Sequence, residues 1–137
     1  KTSANGVELA AVAQVGAVSV QANYTFTDTT NDTPGASFGK QLARRPQDAA
    51  NLSATYVWPF GLSTTVAARY AGESFDDGLN ANRLGAYTLV DLRASYPINE
   101  TLEVYGRVEN VGDEVYETTR TYGVAGRGAF VGVRARF

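Results

Sequence analysis

Charged side chains at alternate positions are the first candidates for a chemical role in this sequence. Glu103, Arg107 and Glu109 stand at odd-numbered positions of one stretch, and Asp91 and Arg93 at odd-numbered positions of another. In a strand, each set would therefore share one face. Carboxylates held close together can act as a general acid and base, so an active site is one interpretation. Opposite charges on neighbouring strands also stabilise a sheet by pairing across it. We favour this second interpretation and predict no catalytic residue.

An acidic pair, Asp76 and Asp77, stands beside Gly78 in a polar segment. Carboxylate oxygens in a loop are ligands that Ca²⁺ prefers, so the pair is a weak candidate calcium site, although solvated loop carboxylates are commoner. The sequence has no Cys and no His, which excludes thiol catalysis, disulfides, the common zinc sites and a His-based triad. We therefore predict no resident cofactor and no other metal.

Arg44, Arg45 and Tyr122 are the best candidates for binding a ligand, because they lie in or beside long polar segments. Arginine offers a planar set of donors, and tyrosine offers a stacking face with a hydroxyl. The alternative is that all three are ordinary loop residues. The stretch 126–128, Gly-Arg-Gly, lacks the strand-to-helix context and the spacing of a phosphate loop.

Size, composition and charge narrow the class of protein. With 137 residues, 44% hydrophobic and 19% charged, the chain has the size of one domain at most and enough apolar residues to be ordered. Its net charge is −2, with no dense basic stripe, so we predict no nucleic-acid partner.

Apolar and polar residues alternate with period two along most of the chain, which predicts strands rather than helices. Seven strands are predicted, at about residues 6–15, 17–28, 48–58, 62–72, 86–96, 101–110 and 126–137. Short turns (15–16, 59–61 and 97–100) alternate with long polar segments (29–47, 73–85 and 111–125). An antiparallel meander would place all short turns at one end, as membrane β-barrels do.

The two faces of the predicted strands differ in chemistry. In the last strand, Val131, Val133, Ala135 and Phe137 fall on one face, whereas Arg134 falls on the other. A cation on a lipid-facing position near mid-membrane costs about 2–4 kcal/mol, so the charged face must meet water. The alternative is a soluble β-sandwich, in which the apolar face would form a dry core.

Aromatic residues concentrate at the predicted strand ends, as in the aromatic girdles of membrane barrels. They are Trp58, Phe60, Tyr96 and Phe137 near the short turns, and Tyr24, Phe26, Tyr70 and Tyr87 toward the long segments.

The C-terminal third of the chain carries a resemblance. Residues 110–117 read Asn-Val-Gly-Asp-Glu-Val-Tyr-Glu, residues 122–127 end in Gly-Arg, and an alternating strand then ends in Phe137. This resembles the closing segment of TonB-dependent receptors, in which an Asn-Leu-Phe-Asp-Lys-x-Tyr loop precedes the final strand; here Val111-Gly112 replaces Leu-Phe. Residues 131, 133, 135 and 137 also resemble the signal read by the outer-membrane assembly machinery.

Upstream stretches resemble the vitamin B12 (cobalamin) transporter branch of that family most closely. They are residues 6–8, 32–34 with 42–45, and 91–97. In that branch, positions matching Arg44 and Tyr122 lie near bound cobalamin. The resemblance thus implies a ligand-binding role for these two residues, which their residue types alone leave open.

The resemblance implies an all-β, antiparallel up-and-down transmembrane β-barrel, of which residues 1–137 would form about seven C-terminal strands out of 22 around a plug. It also implies a place in the bacterial outer membrane. The expected partners are outer-membrane lipid, the rest of the barrel and its plug, TonB through that plug, and the assembly machinery. The implied function is active import, of cobalamin or a corrinoid first and a ferric siderophore second. A small structural or adhesive outer-membrane barrel is the alternative.

Overall fold

The computed structural model describes residues 1–136, which form one antiparallel seven-stranded sheet and a separate two-stranded hairpin. The strands are β1 (Thr2–Val15), β2 (Val18–Asn31), β3 (Asp48–Val57), β4 (Ser63–Ala71), β5 (Ser74–Phe75), β6 (Arg83–Leu84), β7 (Tyr87–Pro97), β8 (Leu102–Glu109) and β9 (Gly128–Ala135). The sheet order is β1-β2-β3-β4-β7-β8-β9, so each strand of this sheet lies beside the next of its strands along the chain. Strands β5 and β6 form the separate hairpin. The predicted all-β meander is confirmed. No helix among the described residues is long and apolar enough to cross a bilayer.

Three tight turns close one end of the sheet. Val15 pairs with Val18 across a two-residue turn that begins at Gly16, whose φ of 58° suits a residue without a Cβ. Trp58 donates its backbone N–H to the Leu62 carbonyl at 2.8 Å in the second turn. In the third, the Asn99 side chain accepts bonds from two backbone N–H groups. All long loops therefore lie at the opposite end, as predicted.

The first hairpin is longer than the alternation predicts. β1 begins at Thr2 and β2 ends at Asn31, because the two strands stay paired through Thr2 and Asn31, beyond the alternating region. Backbone pairing does not require apolar alternation, so the segment predicted as loop from residue 29 begins as strand. The short strands β5 and β6 were not predicted, since two residues carry no period.

The register of the strands aligns residues of similar polarity in rows that run across the sheet. One row crosses all seven strands with only apolar side chains: Ala13, Val20, Ala54, Val66, Leu92, Val108 and Ala129. The adjacent row is mostly polar: Gln14, Ser19, Thr55, Thr65, Arg93, Arg107 and Phe130. A slip of one residue on any strand would exchange the two rows on that strand, so the chemical pattern fixes the register.

No segment within residues 1–136 covers the apolar face. Leu84 and Leu89 are the buried hydrophobic residues within 1–136, whereas Val131 remains 82% exposed and Val133 63% exposed. The dry core required by the soluble-sandwich alternative is absent from the described residues, and that alternative is wrong. An exposed apolar surface of this extent marks a contact with protein or with membrane, and a membrane contact is what the sequence predicts.

Exposed aromatic residues mark both ends of the apolar face. Trp58 lies between Tyr56 and Phe60, with ring centroids 4.8 and 6.0 Å away. At the loop end, Tyr24, Phe26 and Tyr70 are exposed. Tyr87 differs from the prediction. It pairs with Ala71 on the polar face, and its ring stacks on the loop residue Tyr116 at 4.2 Å.

The predicted assembly signal lies on β9. Val131, Val133 and Ala135 share the apolar face of this edge strand, and all three are exposed. Phe137, the fourth residue of the predicted signal and part of the predicted girdle, lies outside the described residues.

Candidate ligand-binding face

Three outer loops, at residues 32–47, 72–86 and 110–127, follow the strands at the end opposite the tight turns. The first and second loops are joined by a reciprocal pair of bonds. The Gln41 backbone N–H donates to the Asn80 side-chain oxygen at 2.9 Å, and the Asn80 side-chain amide donates back to the Gln41 carbonyl at 3.0 Å. The two loops therefore form one connected surface.

Arg44 is anchored at this junction. Its backbone φ of 56° is left-handed, its N–H donates to the Phe75 carbonyl at 2.6 Å, and its Nε lies 2.8 Å from Asp76 Oδ1. The side chain stays 54% exposed while that of Asp76 is 18% exposed. The ion pair thus holds a solvent-accessible guanidinium over the second loop. Arg45 is exposed next to it.

Asp77 organises the second loop. Its carboxylate accepts backbone N–H bonds from Leu79, Ala81 and Asn82 at 2.7–3.2 Å, and a side-chain bond from Asn82 at 2.9 Å. These bonds, led by the one from the Asn82 backbone, lower the pKa of Asp77 because they favour the charged form. Both members of the predicted calcium pair already accept bonds from protein donors, Asp76 through one oxygen and Asp77 through both. No cluster of three metal-ligating side chains forms within 1–136.

The third loop begins with a polar clamp at Asn110, which is buried and left-handed. Its side chain both accepts from the Glu114 N–H at 2.9 Å and donates to the Glu114 carbonyl at 3.0 Å. Asp113 then accepts the Arg127 backbone N–H at 2.8 Å, which ties the loop to the start of β9. The Asn110 and Asp113 of the motif at residues 110–117 thus have structural roles in this chain, because they hold the third loop together and tie it to β9.

Sequence patterns missed the residues that join the loops, namely Gln41, Asn80, Asn82 and Arg120. Arg120 of the third loop bonds to the side-chain oxygen of Asn82 in the second. In the sequence, the Asp and Asn residues at 76–82 were the only indication of these contacts, because both residue types favour turns held by side-chain hydrogen bonds.

The three predicted ligand residues are not brought into direct contact. Tyr122 is 70% exposed on the third loop, and no described hydrogen bond, ion pair or ring contact joins it to Arg44 or Arg45. They share one end of the molecule, and the Asn82–Arg120 bond connects their loops. The arrangement offers exposed donors and the exposed ring of Tyr122 on the loop surface, where the ring of Phe38 is exposed as well.

The predicted charge ladder lies on the polar face of the sheet, away from the loops, but only in part: among residues 1–136, Asp91 and Arg93 form no ion pair. Arg134 reaches Glu103 at 2.6 Å, and Arg107 reaches Glu109 at 3.2 Å while stacking over Phe130 at 4.6 Å. The Arg134–Glu103 pair joins neighbouring strands and is of the kind that stabilises a sheet, whereas the Arg107–Glu109 pair lies within β8.

Comparisons with known proteins agree with this architecture. The family described as "TonB dependent receptor-like, beta-barrel" matches residues 1–111. The vitamin B12 transporter BtuB of Photobacterium profundum is 34% identical over 135 residues, covering 96% of this chain and 21% of that protein. The ferrichrome outer membrane transporter/phage receptor of Escherichia coli is 34% identical over 131 residues, covering 88% of this chain and 18% of that protein.

Solved structures share the fold. The siderophore receptor PiuA from Acinetobacter baumannii matches with a TM-score of 0.87 and 24% identity, over 98% of this chain and 22% of that one. The present chain spans about a fifth of the length of the curated relatives. The chain belongs to the TonB-dependent receptor β-barrel family, which places it in the bacterial outer membrane.

Proposed function

We propose that the full-length protein actively imports a large, scarce nutrient across the outer membrane, with cobalamin or a related corrinoid as the first candidate and a ferric siderophore as the second. The outer loops would capture the nutrient. Energy would arrive from TonB acting on a plug domain that lies outside residues 1–137. These residues would contribute barrel wall, three outer loops and the C-terminal assembly signal.

The observation that carries this proposal is the joined loop surface above a wall with one apolar and one polar face. A receptor needs a stable outer surface with exposed recognition groups, and the Gln41–Asn80 and Arg44–Asp76 contacts provide such a surface. Arg44 and Arg45 are exposed donor groups on it, and Tyr122 is an exposed stacking group. The names of two relatives, a vitamin B12 transporter and a ferrichrome transporter, support the order of candidates.

Ligand titration tests the proposal directly. The purified full-length receptor is titrated with cobalamin and, separately, with ferric siderophores, and uptake is measured in cells with and without TonB. We expect saturable binding of one ligand and uptake that stops without TonB. Failure of every corrinoid to bind at micromolar levels would contradict the first candidate, and TonB-independent uptake would contradict the energy source. A receptor that binds neither class would favour a structural or adhesive role.

Variants of the loop surface test the residues. Tyr122→Ala and Arg45→Ala should each raise the Kd of the bound ligand about tenfold, the effect of losing one good contact. Lys40→Ala is the matched control, because Lys40 is an exposed cation on the same first loop and is not a predicted ligand residue. Equal affinities for the Tyr122 and Lys40 variants would show that Tyr122 is an ordinary loop residue.

A further inference from the structure

Two arginines lie directly opposite each other on the polar face of the sheet. Arg93 of β7 and Arg107 of β8 are partners in the register, and both side chains are exposed. Like charges in that position repel and destabilise the pairing of two strands. Arg107 has a carboxylate partner, Glu109, at 3.2 Å, whereas Arg93 forms no ion pair with any residue in the range 1–136. The register therefore places an uncompensated guanidinium beside a second one, and an anion between them would remove the repulsion.

Both arginines line a basin that has hydroxyl groups on its floor. The basin has a volume of about 370 Å³ and lies across β4, β7, β8 and β9, near the tight turns. Ser63 and Ser95 line it as well, are partners in the register and are half-buried. Arg93 and Ser95 stand two positions apart on β7, so their side chains leave the same face about 7 Å apart. The Thr65 hydroxyl already bonds to Thr55 at 2.8 Å, which leaves the two serine hydroxyls as the available ones.

The charge of the basin is positive. Arg134 and Glu103 also line it, and they pair with each other at 2.6 Å, so together they add no net charge. Glu109 lies outside the basin and compensates Arg107. Arg93 is then left with one excess positive charge, which selects an anionic ligand.

The donors suit a tetrahedral oxyanion better than a carboxylate. A guanidinium presents a planar fork of N–H donors, and each serine adds one O–H. A carboxylate has two oxygens in one plane, and a single guanidinium fork satisfies both. A phosphate group has at least three acceptor oxygens in different directions and a charge of about −1.5 to −2, which matches two cations and two hydroxyls. The volume lies in the range of small-molecule sites, about 300–1,000 Å³, so it admits a phosphate ester as well as free phosphate.

We propose that the Arg93–Arg107 basin is a binding site for a phosphate group. The two guanidinium groups supply the opposing charge, and the hydroxyls of Ser63 and Ser95 supply further donors. The group is either free inorganic phosphate or the phosphate of a small ester, and both have the chemistry that the basin selects. The site lies at the end of the sheet opposite the loop surface, and it does not depend on which nutrient is imported.

Calorimetric titration of the purified full-length protein tests the site, in an uncharged detergent and a buffer free of phosphate and sulfate. The three probes are inorganic phosphate, glycerol 3-phosphate and acetate. We expect saturable binding of a phosphate probe with a Kd of about 1 mM or lower, and binding of acetate that is at least about tenfold weaker. Tighter binding of inorganic phosphate would identify the free ion as the source of the group, and tighter binding of glycerol 3-phosphate would identify an ester.

Variants connect the binding to the basin. Arg93→Gln should raise the Kd of phosphate about tenfold, the effect of losing one charged contact. Arg69→Gln is the matched control and should leave the Kd unchanged, because Arg69 is an exposed arginine of the same face that does not line the basin. Ser95→Ala keeps every charge and should raise the Kd about fivefold, the effect of one hydrogen bond. Heat-dependent migration on gels checks that each barrel is folded, and Ser95→Ala decides the test if Arg93→Gln does not fold.

Three results would overturn the proposal. They are no saturable binding of either phosphate probe, binding of acetate as tight as that of phosphate, and equal Kd values for the Arg93 and Arg69 variants. The second result would mean that the basin takes carboxylates, and the third that phosphate responds to the general charge of the face. The nutrient titration at the loop surface uses other ligands and other variants, so the two proposals fail separately.

Discussion

At the scale of single residues, the order of the second outer loop depends on the charge of Asp77. Its pKa in the folded loop is below its ordinary value of 3.8, because N–H donors surround the carboxylate. A lowered folded pKa stabilises the loop above the ordinary pKa, and this contribution is lost as the pH falls through the lower, folded value. The loop should therefore keep its order from neutral pH down to about pH 4 and lose it below.

Amide hydrogen exchange of Leu79, Ala81 and Asn82, corrected for the intrinsic pH dependence of exchange, measures this. Protection of the three N–H groups should drop together in acid. In Asp77→Asn the protection should be weaker and independent of pH, because no charge is lost. Protection that rises on acidification would mean that these bonds do not favour the carboxylate.

Single residues also mark the limit of prediction from sequence. Arg44 could be identified as an exposed loop cation, but its ion pair with Asp76 joins positions 32 residues apart in two loops without periodicity. The same holds for Gln41 with Asn80. Side-chain bonds between irregular segments depend on how the whole sheet brings the loops together. The candidate ligand residues were therefore predictable by type, and their partners were not.

At the scale of elements, the alternation predicted all seven strands of the sheet, because each row must face either an apolar or a wet environment along its whole length.

Leu92 lies in the apolar row at the middle of β7. Leu92→Arg should lower the free energy of unfolding in liposomes by about 2–4 kcal/mol. Gln21→Arg on the polar face is the control and should cost little. Urea titration of the full-length protein measures both, and equal losses would contradict the assigned faces.

The close approach of β1 and β2 makes a second prediction about elements. A Cβ on Gly6 would lie 2.4 Å from the Phe26 carbonyl oxygen, so a backbone would have to shift. Gly6→Ala should therefore destabilise this hairpin by about 1–3 kcal/mol, as overpacking does. At Gly106 the nearest atom is 3.6 Å from the added Cβ, an ordinary contact. Gly106→Ala should be tolerated, and identical thermal shifts for the two variants would refute the explanation.

At the scale of the whole molecule, the sheet has two free edges, the outer sides of β1 and β9. In hydrocarbon, each unsatisfied backbone group costs several kcal/mol, so an open sheet is not a stable membrane structure. Water on the polar face does not remove this cost, because the edge groups lie in the plane of the sheet. The seven strands therefore need further strands of a larger barrel to complete their hydrogen bonding.

Expression of residues 1–137 alone against the full-length protein tests this dependence. The short chain should not form a monomer that resists protease and SDS in liposomes, whereas the full-length protein should, because closure of the barrel pairs every edge. Supplying the other strands of the barrel as a separate chain should restore resistance to the short chain, since the edge partners are then present. A protease-resistant monomer of the short chain alone would mean that β1 and β9 can pair with each other, and the large barrel would no longer be required.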